Sequence, residues 1–307
     1  MERIRQDKGF LHRKKMRPGA LFLLAAVYGA ASFSVALLLG IVGYVFFRGF
    51  RELSIRFFTS VTSSLKGTVG IAGNMLNTLY MIILTLAAAI PTGVGAAVYL
   101  NEYAGKGRLV RTVSFAVNIL AGIPSVIFGL FGMVLFGFVC GLGYSLLTGA
   151  LTLVLMILPL IVENTLAALQ AVPQGYRQGA LGMGAGKWEL IRTILLPSAK
   201  SGILSGIILA VGRITGESAA LLFTAGSARI LPHLGRGLRK NAVMLGNKIL
   251  EPGGTLTVEL YLQMQNGEYG AAFGIGCVLI LLTFLMNFLM KLISRTGDGQ
   301  DEVLYGK

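Results

Sequence analysis

Long apolar runs alternate with short polar stretches along this chain. Runs at about 19–47, 71–98, 112–139, 144–165, 200–223 and 269–293 each reach the ~20 residues that an α-helix needs to cross a hydrocarbon core. In lipid a backbone has to satisfy its own hydrogen bonds, and a helix does so within one segment. The pattern therefore predicts an all-α membrane protein with six transmembrane helices. The first run is too long, and too poor in a small-residue cleavage site, to be a removable signal, so it reads as a retained span. An even number of crossings places both termini on one side.

Charge says which side. The N-terminal tail carries seven Lys and Arg residues, the second loop three, the fourth loop four and the C-terminal tail three, whereas the first, third and fifth loops carry four, none and five. The positive-inside rule then puts both termini and the fourth loop in the cytoplasm. The net charge of +14 is a topology signal, because the basic residues do not gather on one soluble domain as a nucleic-acid footprint requires. The expected organisation is a basic cytoplasmic tail at 1–18, a first transmembrane helix at 19–47, an extracytoplasmic loop at 48–70, a transmembrane core at 71–293 and a cytoplasmic tail at 294–307.

Composition agrees with the pattern. Hydrophobic residues make up 54% of the chain and charged ones 13%, against about 25% charged in soluble domains. The 42 glycines suit helices that approach closely through small residues. Cys140 and Cys277 lie in or beside apolar runs with no CxxC or Cys/His spacing, so neither a disulfide nor a metal site is expected. His233, the one histidine outside the basic tail, is assigned no chemistry.

Two stretches break the apolar pattern in ways that carry chemistry. The first is the fourth loop, where QGALGMGAGKWELIRTILLP occupies 178–197. Its GMGAGK superficially resembles a phosphate-cradling loop. The P-loop, however, needs a Gly where Leu181 stands and a Ser or Thr where Trp188 follows the Lys. Two short helices, Ala180 to Met183 and Lys187 to Leu195, fit better, with Leu190, Ile191, Ile194 and Leu195 forming an apolar face for a partner's groove.

The second is RITGE at 213–217 in the fifth span. It puts Arg213 and Glu217 one helical turn apart in an apolar helix. A central charge costs about 2.5–3.5 kcal/mol on insertion scales, so such residues face a cavity, a partner or each other. Arg suits bidentate recognition of an oxyanion; a self-neutralising pair that stabilises packing is the alternative. Ser125 and Thr215 are further candidate donors to a passing oxyanion, as are Asn74 and Asn77. Pro124 is expected to bend the third span, and Gly122, Gly129 and Gly132 read as close helix contacts.

Counted back from Pro197, the fourth loop resembles the EAA motif of binding-protein-dependent ABC importer permeases. Gln178, Gly179 and Ala180 stand for EAA, Gly184 for the motif Gly, and Ile194, Leu196 and Pro197 close it; Gln178 and Gly179 depart from the pattern. The resemblance implies a type I ABC importer permease (MetI-like) fold. It also implies that the loop, at 173–199, forms coupling helices seated on an ATPase subunit, with these seven residues as contact and hinge positions.

PTGVGAAVYLNEYA at 91–104, AGIPSVIFGLFG at 121–132, RITGES and EPGGTLTVELYLQMQNGEYGAAFGIGCVLI at 251–280 are similar to the phosphate permeases of the Pst system, the last favouring the PstA type over PstC. That likeness implies a non-catalytic subunit with Arg213 and Glu217 in the phosphate path. Its implied partners are a PstC-type permease, two copies of an ATPase that binds ATP and Mg, and an extracytoplasmic phosphate-binding protein. No cofactor is expected in this chain. A permease for another oxyanion, molybdate or sulfate, and a channel or scaffold that uses the loop to hold a different partner remain open at this point.

Overall fold

The computed structural model describes residues 18–63, 68–104, 107–229, 231, 244 and 246–305, the stretch from 293 onward by its backbone. The basic tail before residue 18, His233, Arg236 and Arg239 lie outside the described residues. The chain divides into two compact units, Met1–Phe47 and Arg48–Lys307. The first holds most of α1 (Pro18–Gly49), whose large exposed apolar side chains include Phe22, Phe33 and Leu39. A helix apolar along its whole length suits a membrane span.

The second unit begins with α2 (Ile55–Thr59), capped by Ser54, whose hydroxyl accepts from Phe57 N at 3.2 Å. Among the described residues the departure from an all-helical chain is a short antiparallel hairpin, β1 (Val61–Ser63) with β2 (Thr68–Ile71). Then come α3 (Ala72–Glu102), α4 (Arg108–Gly122), α5 (Ser125–Gly132), α6 (Leu146–Gln170) and α7 (Gln174–Gly182). They are followed by α8 (Lys187–Leu190), α9 (Leu196–Ser198), α10 (Lys200–Gly216) and α11 (Ala219–Thr224). The last two are α12 (Leu256–Gln265) and α13 (Tyr269–Tyr305).

Among the described residues four helices, α1, α3, α6 and α13, are long and apolar enough to cross a membrane, and two bent pairs bring the number to six if each pair is one crossing. The third predicted span is not continuous. It breaks between α4 and α5 with a bend of 103°. Ile123 is extended (ψ 131°) before Pro124, as a residue preceding proline prefers. The fifth predicted span breaks as well, after Gly216, and its approach bends by 66° between the Lys187–Ser198 stretch and α10.

The core sits around α6, of whose apolar window 67% is buried, against 33% for α3 and 22% for α13. Leu153, Ile157 and Ile161 of α6 pack on Met81, Ile82 and Ala89 of α3 and on Ala210 and Ile214 of α10. Without a strong hydrophobic force between helices in lipid, close backbone approach has to supply the packing. Glycine makes it possible: a Cβ on Gly93 would fall 2.7 Å from Ile161 Cγ2, and one on Gly206 2.6 Å from Asn164 Cβ.

Gly129 and Gly132 are close contacts as expected, against Ala220 and Thr152, whereas Gly122 faces open space. Thr152 has little room to yield, because its hydroxyl donates to Thr148 O at 2.7 Å and a Cβ at 132 would stand 2.0 Å from its Oγ1. Gly132→Ala is therefore expected to destabilise the detergent-solubilised protein by about 1–3 kcal/mol. Gly122→Ala should stay within about 0.5 kcal/mol. Thermal unfolding of the two variants side by side checks this; equal melting would contradict the packing.

Candidate functional site

The fourth loop folds back onto the ends of the membrane helices. α7 ends at Met183, and Gly184 takes φ +86°, the left-handed conformation in which glycine carries no Cβ penalty. Ala185 N closes the turn on Ala180 O at 3.0 Å. After α8 the helix widens by one residue per turn over Ile191–Leu195, with Leu196 N reaching Ile191 O, before α9 and α10 continue the chain. Gly184 is thus a corner between two short helices, as the glycine spacing predicts, although α7 starts earlier, at Gln174.

The apolar face is turned the other way from the expectation. Leu190, Ile191 and Leu195 are 3%, 1% and 0% exposed. They pack with Ala180, Leu169, Val172 and Ala199, and the half-buried Ile194 and Leu196 lie against the same cluster. The stripe therefore serves this chain's own core, because the ends of α3, α6 and α10 supply the apolar surface it needs. What the loop shows to the outside is a different set, with Met183 85% and Trp188 65% exposed and Tyr176 and Leu181 more than half exposed. Gln178, Gly179, Gly184 and Pro197 share this outer side, whereas Ala180 is buried. Composition alone contains the signal for Met183 and Trp188, large apolar residues off the buried stripe, but spacing read for a single face passes over them.

Polar contacts anchor the loop from both sides of the Gly184 corner. Arg177 on α7 pairs through Nη1 with Glu102 Oε1, at the last residue of α3, and its Nη2 donates to Leu169 O in the last turn of α6 at 3.1 Å. Glu102 also accepts from Asn101 Nδ2 at 2.6 Å. The guanidinium thus answers a carbonyl at the C-terminus of α6 and the carboxylate at the end of α3. On the other side, Lys187 of α8 places its Nζ 4.7 Å from the centre of the Tyr103 ring, which stacks on Tyr99 at 6.3 Å.

The second candidate constellation straddles a helix break. Arg213 stands in the last turn of α10, exposed. Among the described residues no carboxylate or other polar group is in contact with its guanidinium. Glu217 is not on the same helix. It is the extended residue that ends α10 (ψ 124°), and its Oε1 accepts from Ala220 N at 3.0 Å, capping α11. Its carbonyl accepts from Thr257 Oγ1 at 2.7 Å. The two residues are thus not an i,i+4 pair, because the helix that would align them stops at Gly216.

The Thr215 hydroxyl donates to Val211 O at 2.8 Å within its own helix, the usual fate of a buried threonine in lipid. Ser125, half-buried, opens α5 after Pro124. Asn74 and Asn77 are drawn into the scaffold: their Nδ2 groups donate to Gly254 O at 3.0 and 3.1 Å, tying α3 to the segment before α12. Beside them an ion pair between half-buried Arg229 and buried Glu259, Nε to Oε2 at 2.6 Å, fixes the chain after α11 to α12.

This architecture matches known proteins. Residues 89–296 fit the family described as binding-protein-dependent transport system inner membrane component. The chain is 36% identical over 212 residues to the probable ABC transporter permease protein YqgI of Bacillus subtilis (strain 168), covering 69% of this chain and 70% of that protein. To the phosphate transport system permease protein PstA of Mycobacterium leprae (strain TN) it is 32% identical over 275 residues, 86% of this chain and 85% of the relative. In fold it is similar to a solved bacterial alginate ABC transporter, with TM-score 0.63 at 15% identity over 90% of this chain and 94% of the matched one. The helical bundle with its folded-back loop, the family match over residues 89–296 and the permease relatives lead to one assignment: the chain belongs to the inner-membrane components of binding-protein-dependent transport systems, the permeases of ABC importers.

Proposed function

We propose that the chain is a PstA-type permease subunit of an ATP-driven phosphate importer, working beside a PstC-type permease, two copies of an ATPase that holds ATP and Mg, and an extracytoplasmic phosphate-binding protein. The observation that carries the substrate is Arg213. It is an exposed guanidinium without a partner among the described residues, on an apolar helix, one turn before the break at Gly216. Each ion left alone in lipid is costly, so this one is placed to meet an anion, and a planar fork of donors matches a tetrahedral oxyanion. A relative that matches 86% of the chain is named for phosphate transport, which favours phosphate over sulfate and molybdate. Glu217 acts here through its cap on α11, holding the break open beside Arg213; Thr215 and Ser125 line the neighbourhood of that break and of the Pro124 bend.

Coupling to the ATPase is assigned to the outer side of the loop, with Met183 and Trp188 as anchors, Gly184 as the corner, and Gln178, Gly179 and Pro197 around them. Ala180, Ile194 and Leu196 support this surface from within. The test is uptake of labelled phosphate by the complex in proteoliposomes with the binding protein outside. An excess of unlabelled phosphate should suppress uptake while equal sulfate and molybdate leave it unchanged; suppression by either of the latter alone would move the assignment to that oxyanion.

A further inference from the structure

The proposed coupling surface is useful only if its displacement reaches the membrane helices, and the structure shows how it is joined to them. α10 follows the loop in the chain. α3 does not: its end at Glu102 lies 75 positions before Arg177 in sequence, and it is reached through side chains. The contact is well sheltered, with Arg177 and Glu102 side chains 16% and 7% exposed. The same guanidinium holds the end of α6 at Leu169 O. In a site this dry a charge-assisted hydrogen bond is stronger than at a surface. The alternative for either partner alone is a poorly solvated charge.

From this, and resting on the coupling role assigned to the loop, we propose that Arg177 and Glu102 are positioning residues that transmit movement of α7 to α3 and α6. α6 and α10 flank the loop in the chain, whereas α3 is held to it by side chains alone, this polar pair and the apolar cluster that Val98 joins. The pair acts as a latch. When the ATPase moves the Met183 and Trp188 surface, α7 carries the guanidinium with it, and the carboxylate at the end of α3 and the carbonyl at the end of α6 follow. Because α3 and α6 pack closely through Gly93 against Ile161, they move as one body. Lys187 over Tyr103 adds a second grip on α3 from beyond the Gly184 corner.

The test uses the whole complex, with ATPase and binding protein, reconstituted in proteoliposomes. ATP hydrolysis and substrate uptake are read on wild type, Glu102→Gln, Arg177→Gln and the exchanged pair Glu102→Arg with Arg177→Glu. Each single variant is expected to retain basal ATP hydrolysis and ATPase co-purification. Substrate moved per ATP, and stimulation of hydrolysis by the binding protein, should fall about tenfold, within the 5–150-fold range of site-to-site coupling. The exchanged pair rebuilds the ion pair to α3 but sets a carboxylate against Leu169 O, which needs a donor, so it should restore part of both, to above the level of either single variant. A role confined to folding would instead lower the amount of assembled complex and leave the ratio in the surviving complex untouched.

Wild-type ratios in the single variants would overturn the latch. So would failure of the exchanged pair to restore part of a lost ratio, or to restore assembly if the singles do not assemble. A wild-type complex that binds no ATPase would instead overturn the coupling role of the loop, and the latch with it. ATP-coupled stimulation without phosphate uptake would sink only the substrate assignment and leave the latch standing.

Discussion

Arg213→Ala is expected to reduce phosphate uptake by about 100-fold or more, equivalent to roughly 2.7 kcal/mol of lost stabilisation in the path, in a complex that still assembles and hydrolyses ATP. The argument rests on what surrounds the residue. Arginines with a structural role in this protein are paired, as Arg177 is with Glu102 and Arg229 with Glu259. Arg213 has no such partner among the described residues, and Glu217, the nearest carboxylate in sequence, is engaged with Ala220 N. Removing Arg213 therefore leaves no orphaned partner, so folding should be spared while the anion loses its counter-charge. Arg213→Lys should fall between, because a point charge keeps the attraction and loses the two-pronged geometry. Uptake assays on complexes matched for copy number check both variants; uptake by Arg213→Ala within twofold of wild type would remove the residue from the path.

The second large effect concerns the ATPase surface. Met183 and Trp188 project from the loop with 85% and 65% of their surface exposed, and large exposed apolar groups of this kind serve as interface anchors. The double variant Met183→Ala with Trp188→Ala is expected to weaken ATPase binding by about 30-fold or more, the effect of losing ~2 kcal/mol at a hot spot, with no change in the melting temperature of the isolated chain. Leu195→Ala should do the opposite. That side chain is fully buried in the loop's own cluster, so its truncation costs about 2–5 kcal/mol of stability before it touches any interface. Binding titrations and melting curves on the same preparations separate the two sides of the loop. Equal loss of ATPase binding from both variants, with unchanged melting, would return the contact role to the buried stripe.

Most of the architecture was legible from apolar run lengths, because the thickness of a bilayer imposes them. Breaks inside runs were harder. Pro124 announced a bend, since it removes a donor and restricts Ile123, but its size, 103°, depends on what α4 and α5 pack against. The stop at Gly216 carried no signal beyond one glycine, so Arg213 and Glu217 looked like an i,i+4 pair and are instead the last turn of one helix and the cap of the next.

In the loop the motif spacing located Gly184 and Pro197, whereas periodicity reported that Leu190, Ile191, Ile194 and Leu195 share a face without saying what covers it. The answer, the ends of α3, α6 and α10, is tertiary. Contacts such as Asn74 with Gly254, far apart in the chain, are set by the same tertiary packing.

An importer of this kind faces a real cost. Bringing a dianion into a compartment about 100 mV negative takes roughly 4.6 kcal/mol before any concentration gradient, so the path has to be driven. The most direct test is phosphate accumulation in proteoliposomes holding the complete complex, with binding protein outside and ATP and Mg enclosed. Accumulation well above the outside concentration, abolished when ATP is omitted or replaced by a non-hydrolysable analogue, is the predicted result. Phosphate that merely equilibrates at the same rate with and without ATP would contradict the central claim.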